Sequence, residues 1–178
     1  MRIIGGQFKG RNIIAPGNLP VRPTTDFAKE GLFNILSNRI NFEETKFLDL
    51  FCGTGNISWE IASRGCKNIT CVDENTNCYA FITKTADKLG LKTVKAYRSD
   101  AFKFCTTSLE KFDFIFADPP FNHEKTVSLP DLIFEKQLLN NDGILIIEHP
   151  KDYDFSNHPY FKEERKYGKI HFSFFGNN

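Results

Sequence analysis

No stretch of the chain approaches the ~18 consecutive apolar residues of a membrane span, and Met1-Arg-Ile-Ile-Gly-Gly lacks the apolar core of a secretory signal. The expectation is a cytoplasmic protein with no membrane partner. Cys-x-x-Cys pairs are missing as well. Cys52, Cys66, Cys71, Cys78 and Cys105 are odd in number and scattered, which reads as free thiols and sets aside both a zinc site and a disulfide framework. Nor is charge of one sign in excess: a net charge of +1 excludes a surface coated in basic residues, so any nucleic-acid contact has to come from local patches. One such patch is marked by an absence, since residues 1–25 contain no acid but carry Arg2, Lys9, Arg11 and Arg22. A later stretch sets Lys162, Arg165, Lys166 and Lys169 against Glu163 and Glu164. Internal repeats and low-complexity linkers are absent too, and 178 residues suffice for one domain with a real core plus an appendage.

What is abundant is phenylalanine, with 19 residues, so a Phe-rich core is expected. The densest run, Phe112 to Phe121, has no turn signal until its end and reads as a buried parallel strand. It then delivers Asp118, Pro119, Pro120 and Phe121 into a sharp turn. Asp118 is an acceptor and Pro119 has no N–H, so the carbonyls there have fewer local partners and can face outward. Phe121 sets a flat apolar ring beside them. Acceptors next to a ring suit a planar group bearing an NH2, either a nucleobase or an amide, held by stacking and hydrogen bonds.

Around this run the chain divides into an extension (1–42) and a main domain (43–178). Residues 2–16 read as a small β-hairpin whose turn uses Gly5, Gly6 and Gly10. Thr25 or Asp26 then caps an amphipathic helix with an apolar stripe of Ala28, Leu32, Phe33, Ile35, Leu36 and Ile40, ending around Asn41. From Lys46 strand and helix alternate. Strands are expected over 47–51, 68–72, 93–98, 112–117 and 143–148, and helices over 56–64 and 76–89, closed by Gly65 and Gly90. Residues 160–166 and 169–175 read as a final antiparallel hairpin at the sheet edge, joined at Gly168. Such alternation implies an α/β fold, a doubly wound, mostly parallel sheet with right-handed crossovers.

Ligands of such sheets bind beyond the carboxyl ends of the strands, where strand order reverses. Four marked ends meet there: Asp49 to Gly55, Asp73, Asp100 and Asp118. The loop Cys52-Gly53-Thr54-Gly55 lets backbone approach a ligand at a helix N-terminus, and Asp73 lies 20 residues past Gly53, a spacing suited to an acid accepting both hydroxyls of a ribose. An adenosine-containing cofactor follows. Dinucleotide-binding folds share this pattern, but Ser58 stands where their third glycine would fall, and the acid-Pro-Pro-aromatic turn has no role in hydride transfer. His123, His149, His158 and His171 are scattered and read as surface or core residues.

Asp49-Leu-Phe-Cys-Gly-Thr-Gly55, Asp73 and Asp118-Pro-Pro-Phe121 resemble the class I S-adenosylmethionine-dependent methyltransferases that modify exocyclic or amide nitrogens. Met1-Arg-Ile-Ile-Gly-Gly-Gln-Phe-Lys-Gly-Arg11, Arg22-Pro-Thr-Thr-Asp26 with Lys29-Glu-Gly-Leu-Phe-Asn-Ile-Leu36, and Tyr167-Gly168 narrow the resemblance to the RsmD family, bacterial enzymes that methylate the guanine N2 amine of 16S ribosomal RNA. The likeness covers nearly the whole chain and is most specific in its N-terminal third.

That resemblance implies seven strands with the last antiparallel, a Rossmann-like methyltransferase fold, and S-adenosyl-L-methionine as cofactor. It places the methionine end near Phe51, Gly53 and Gly55, the ribose on Asp73, and the adenine near Asp100 and Ala101, with Asp49 also among the cofactor-binding residues. Asp118, Pro119, Pro120 and Phe121 become the catalytic turn. Arg2, Lys9, Arg11 and Arg22 become RNA contacts to 16S ribosomal RNA within a 30S subunit or its assembly intermediate, the protein acting as a monomer. Two departures stand out: Phe121 replaces the more usual Tyr, and Asn56-Ile-Ser-Trp59 replaces acidic or small residues after the glycine loop. DNA adenine-N6 and protein glutamine-N5 methyltransferases share the Asp118 turn, and a non-catalytic RNA-binding domain on the same fold would show a broken loop or turn, whereas both are whole here.

Overall fold

The computed structural model describes residues 1–17, 19 and 24–177. In chain order these form helix α1 (Asp26–Leu36), β1 (Lys46–Leu50), α2 (Asn56–Ser63), β2 (Asn68–Asp73), α3 (Thr76–Leu89) and β3 (Val94–Arg98). Then come α4 (Ala101–Thr107), β4 (Phe112–Ala117), α5 (Leu129–Glu135), β5 (Leu139–His149), β6 (Phe161–Tyr167) and β7 (Ile170–Gly176). The seven strands make one sheet in the order β3-β2-β1-β4-β5-β7-β6. The first five run parallel, and β7 is antiparallel to both β5 and β6. The expected edge hairpin is present, with β6 at the rim and β7 inserted against β5.

Burial on both faces explains why the strands read as apolar runs. Phe47, Phe114, Phe116, Phe172 and Phe174 point to one side, where Leu32 and Phe33 of α1, Ile57 and Trp59 of α2, and Ile82 of α3 cover them. Leu48, Leu50, Ile115, Ala117 and Ile147 point to the other, beneath Cys105 of α4 and Ile133 of α5. All five cysteines are buried and free. No helix of the described residues is long and apolar enough to cross a membrane.

Three details depart from the sequence reading. Helix α1 stops at Leu36, where the backbone tightens to i→i−3 bonds, Asn38 N–H to the Ile35 carbonyl (3.1 Å) and Arg39 N–H to that of Leu36 (2.9 Å), while the Ser37 hydroxyl and the Asn38 side-chain amide donate to the carbonyls of Phe33 (2.7 Å) and Asn34 (2.9 Å). Helices α4 and α5, seven residues each, are too short to show an apolar stripe, and the sequence reading assigned them no range. The N-terminal hairpin shrinks to one bridge between Arg2 and Asn12. Ile3 still donates to the Arg11 carbonyl (3.0 Å), but the next residues turn to α2: Ile4 N–H bonds Glu60 Oε2 (2.9 Å), Gln7 N–H the Ser63 carbonyl (2.7 Å) and Phe8 N–H Ser63 Oγ (2.9 Å). Gly6 permits this docking, because its φ is +72° and a Cβ would lie 1.8 Å from the Ser63 oxygen. Ile3 and Ile13 thereby join the core cluster that contains Phe47 and Phe114.

Candidate active site

The site begins where β1 ends. Phe51 takes a positive φ of 59°, Gly53 and Gly55 take 51° and 73°, and the chain folds back so that Gly55 N–H bonds the Cys52 carbonyl (2.7 Å). A Cβ on Gly55 would fall 2.6 Å from Ile82 Cδ1 and 2.8 Å from Trp59 Nε1, so both its angles and its surroundings demand glycine. The residues that depart from the family pattern support this loop. Trp59 donates its indole N–H to the Thr54 carbonyl (2.7 Å), and Ser58 donates to Asp49 Oδ2 (2.5 Å). Asn56 accepts from Lys29 Nζ (2.9 Å) and donates to the Thr24 carbonyl (2.9 Å).

A buried ion pair extends that support. Lys29 Nζ lies 3.7 Å from Glu60 Oε2, with side chains 1% and 0% exposed. Lys29 also donates to the Arg2 carbonyl, and Glu60 binds Ile4 N–H and the Arg64 guanidinium. Every charge is met, as burial requires. The N-terminal segment, α1 and the helix behind the glycine loop are therefore one hydrogen-bonded unit.

Asp73, at the end of β2, accepts from Gly53 N–H (2.8 Å) through one oxygen and from Asn75 N–H (2.9 Å) through the other. Each oxygen keeps a lone pair, which suits a pair of vicinal hydroxyls. Asp100 spends one oxygen capping α4 through Lys103 N–H (2.7 Å), and Ala101 is the buried first residue of that helix.

Past β4, Asp118 is half-buried and its carboxylate accepts no hydrogen bond from the described residues. Loss of water, then the nearby Glu148 and Asp49, push its pKa well above the carboxylate range. Asp49 is raised to about 7, by burial against the opposing Ser58 hydrogen bond. Glu148 is also raised to about 7, by burial against a hydrogen bond from Thr24 Oγ1 (2.7 Å). Three acids on adjacent strands thus share one poorly solvated floor. The Pro119 carbonyl likewise meets no donor among the described residues, and Phe121 presents a ring 51% exposed, its carbonyl pinned by Tyr153 Oη (2.9 Å).

The glycine loop, Asp73, Asp100 and the Asp118 turn meet at one cleft of about 1100 Å³, room for a nucleoside cofactor and a base together. Asp118, Pro119, Pro120, Phe121, Asp49, Phe51, Gly53, Asp73, Asp100 and Ala101 all border it, while Gly55 acts from behind the loop. Arg2, Lys9 and Arg11 are exposed but do not border it, and Arg2 is paired with Asp26 (3.4 Å). Their loop rests on the far end of α2, about 10 Å along that helix from its first residue. Arg22 lies outside the described residues.

Several lining residues escaped the sequence reading. Thr24, Glu148, Lys151 and the β6–β7 turn from Tyr167 to His171 all reach the cleft. Glu148 carried a usable signal, an acid closing a buried strand in the manner of Asp73 and Asp118. The turn is placed by α1: a Cβ on Gly31 would fall 2.0 Å from the Tyr167 ring, so glycine there leaves the ring its seat. His149 and His171, read as scattered, are cross-strand neighbours whose ligand atoms cluster with Glu164 within 4.8 Å. Their hydrogen-bond roles are filled by protein, because His149 bonds the Pro150 carbonyl and Ser173 Oγ (2.8 and 2.7 Å) and His171 bonds Glu164 (2.9 Å).

A parallel sheet with an antiparallel seventh strand, a glycine loop closing on Asp73, and the Asp118 turn at the same cleft define an S-adenosylmethionine-dependent methyltransferase. Residues 1–176 match the family described as Conserved hypothetical protein 95. The chain belongs to that family, the RsmD family of methyltransferases. It is 34% identical to YlbH of Bacillus subtilis, over 86% of this chain and 85% of that one. It is 29% identical to the ribosomal RNA small subunit methyltransferase D of Buchnera aphidicola, over 99% and 92%. Among solved structures, Escherichia coli yhhF superposes with a TM-score of 0.86 at 24% identity, covering 100% and 99%. The Thermus thermophilus 16S rRNA N2 methyltransferase RsmC, in complex with AdoMet and guanosine, superposes at 0.71 with 19% identity, over 100% of this chain and 49% of that one.

Proposed function

We propose that this protein methylates the exocyclic N2 amine of a guanine in 16S ribosomal RNA. The observation that carries the reading is a pair of acceptors that meet no donor among the described residues, the Asp118 carboxylate and the Pro119 carbonyl, beside the exposed Phe121 ring. The names of the relatives, ribosomal RNA small subunit methyltransferases, support the RNA substrate, and the guanosine bound by RsmC supports the base.

S-adenosylmethionine, when bound, supplies a methyl group on a sulfonium cation. The protein's groups act on the amine. A guanine N2 lone pair is delocalised into the ring, and attack requires the nitrogen to rehybridise, which acceptors on its two N–H groups favour. Asp118 and the Pro119 carbonyl are placed to be those acceptors, while Phe121 holds the plane of the base. The protein's contribution is orientation and electrostatics. Because a paired amine is inaccessible, the base enters unpaired or flipped, at an unstacking cost of a few kcal/mol.

The RNA path is assigned to cations at the cleft mouth, Lys151 and Lys169, with Arg2, Lys9 and Arg11 as an outlying contact. Residues 1–42 serve as the RNA-side extension of the methyltransferase domain 43–178, and the unit acts as a monomer on the 30S particle or its precursor. The test is methylation of naked 16S RNA and of 30S particles with labelled cofactor, followed by nucleoside mass analysis. N2-methylguanosine is the expected product. N6-methyladenosine, or label in protein, overturns the reading.

A further inference from the structure

We propose that Glu148 is the group with which Asp118 shares the proton given up by the methylated amine, and that Thr24 positions Glu148 for it. This rests on the amine-methylation reading above. Ala117 pairs with Ile147, so Asp118 and Glu148 follow the last paired residues at the same level of adjacent strands, about 4.8 Å apart in the hydrogen-bonding direction. Both border the cleft. Glu148 is 4% exposed, and one of its oxygens is held by Thr24 Oγ1 while the other accepts nothing from the described residues. Thr24 is in turn fixed through its carbonyl by Asn56, at the start of the helix behind the glycine loop. Besides Thr24, the described residues give the Glu148 carboxyl no hydrogen-bond partner, and its cross-strand neighbour is Phe172. Burying a carboxyl costs stability, and carboxyls kept buried beside a cleft are functional-site candidates.

The step balances. The N–C bond forms as the S–C bond breaks, the S–C electron pair stays on sulfur, and an N–H proton passes to the carboxyl pair with its bonding electrons left on nitrogen. A positive charge leaves the sulfur and a proton arrives on the pair, so the cleft holds the same net charge before and after. Two carboxylates this close do not ionise together without a cation, and the sulfonium is that cation. Other titratable groups that border the cleft among the described residues are Asp49 from β1, bound to Ser58, Asp73 and Glu74 after β2, Asp100 before α4, His123 after the turn, Lys151 and Asp152 after β5, and Lys169 and His171 from the β7 side, with the cysteines Cys52 and Cys78.

Calorimetric titration of the full chain with S-adenosylmethionine and with the neutral S-adenosylhomocysteine, in buffers of different ionisation enthalpy at pH 7, reads the proton count. The cation should release on the order of half a proton more than the thioether. Glu148→Gln should lose most of that difference while binding S-adenosylhomocysteine within about threefold of wild type. Thr24→Val keeps the carboxyl but removes its donor, so maximal release should move to higher pH, and Thr24→Ser should restore it. If Glu148→Gln does not fold, this pair decides: an unmoved maximum in Thr24→Val overturns the proposal. So does an undiminished difference in Glu148→Gln, or its complete loss in Asp49→Asn alone. With RNA present, Glu148→Gln should move the acid limb of the pH–rate profile to lower pH, because Asp118 loses a neighbouring negative charge. A purely structural role would lower the rate and leave the limb in place. The calorimetry uses no RNA, so an error in the identity of the methylated base leaves its outcome untouched.

Discussion

Asp118 loses water without gaining a donor among the described residues, and that combination separates a working acid from a structural one. Asp113, by contrast, is spent on Lys46 N–H (2.8 Å) and Asn140 Nδ2 (2.6 Å). Asp118→Ala should lower turnover by ~10²–10⁴, the range for a positioned proton-handling group, with S-adenosylhomocysteine affinity nearly unchanged. A loss under threefold would remove Asp118 from the mechanism. Phe121 has no ring partner among the described residues, so its area is free for a base. Phe121→Ala should cost ~1–3 kcal/mol of base stacking, read as a raised KM, and Phe121→Tyr should restore it. At this scale the sequence was informative wherever an acid closed a strand. Thr24 and Ser58 were opaque, because the reach of a hydroxyl to an acid 124 or 9 residues away depends on packing that no local pattern encodes.

Helix α2 is the element on which most of the site depends. Its first residue follows the glycine loop, its middle carries Glu60, and its last residue receives the N-terminal turn. Glu60→Ala leaves Lys29 charged and buried, and should cost about 3–5 kcal/mol in denaturant unfolding, with weakened cofactor binding in what folds. Lys29→Met with Glu60→Leu should recover much of that stability. The strands were legible because both faces are buried and the apolar runs are uninterrupted. Helices α4 and α5 were not, since seven residues give barely two turns of periodicity. The hairpin was misjudged in its extent: Gly6 and Gly10 do supply positive backbone angles (72° and 84°) for the turn, but Gly6 also allows close approach to Ser63, and sequence alone does not show that second use.

For the whole molecule, charge sets two behaviours. Asp49 and Glu148 stand near 7 in the fold against 3.8 and 4.5 otherwise, so the folded chain binds more protons between those values. Their contribution to stability is full below about pH 4 and is lost as pH rises through about 7. Thermal unfolding of the cofactor-free protein should therefore show Tm falling from pH 5.5 to pH 8, with S-adenosylmethionine reducing the fall. RNA affinity should depend mainly on the mouth: Lys151→Glu with Lys169→Glu should flatten the log K against log salt slope by about 1.4, and reversal of Lys9 and Arg11 by less. An equal effect would return the N-terminal loop to the centre of the RNA path. The topology and the acids Asp49, Asp73, Asp100 and Asp118 were read from the strands and their ends, Glu148 was passed over, and the placement of basic residues around the cleft required the fold.

Trp59 is the chain's single tryptophan, and its indole N–H is bonded to a carbonyl inside the glycine loop. The protein accordingly carries a built-in optical probe. Its near-ultraviolet emission comes from one buried ring whose hydrogen bond belongs to the glycine loop bordering the cleft, so ligand entry can be followed in real time without attaching a dye.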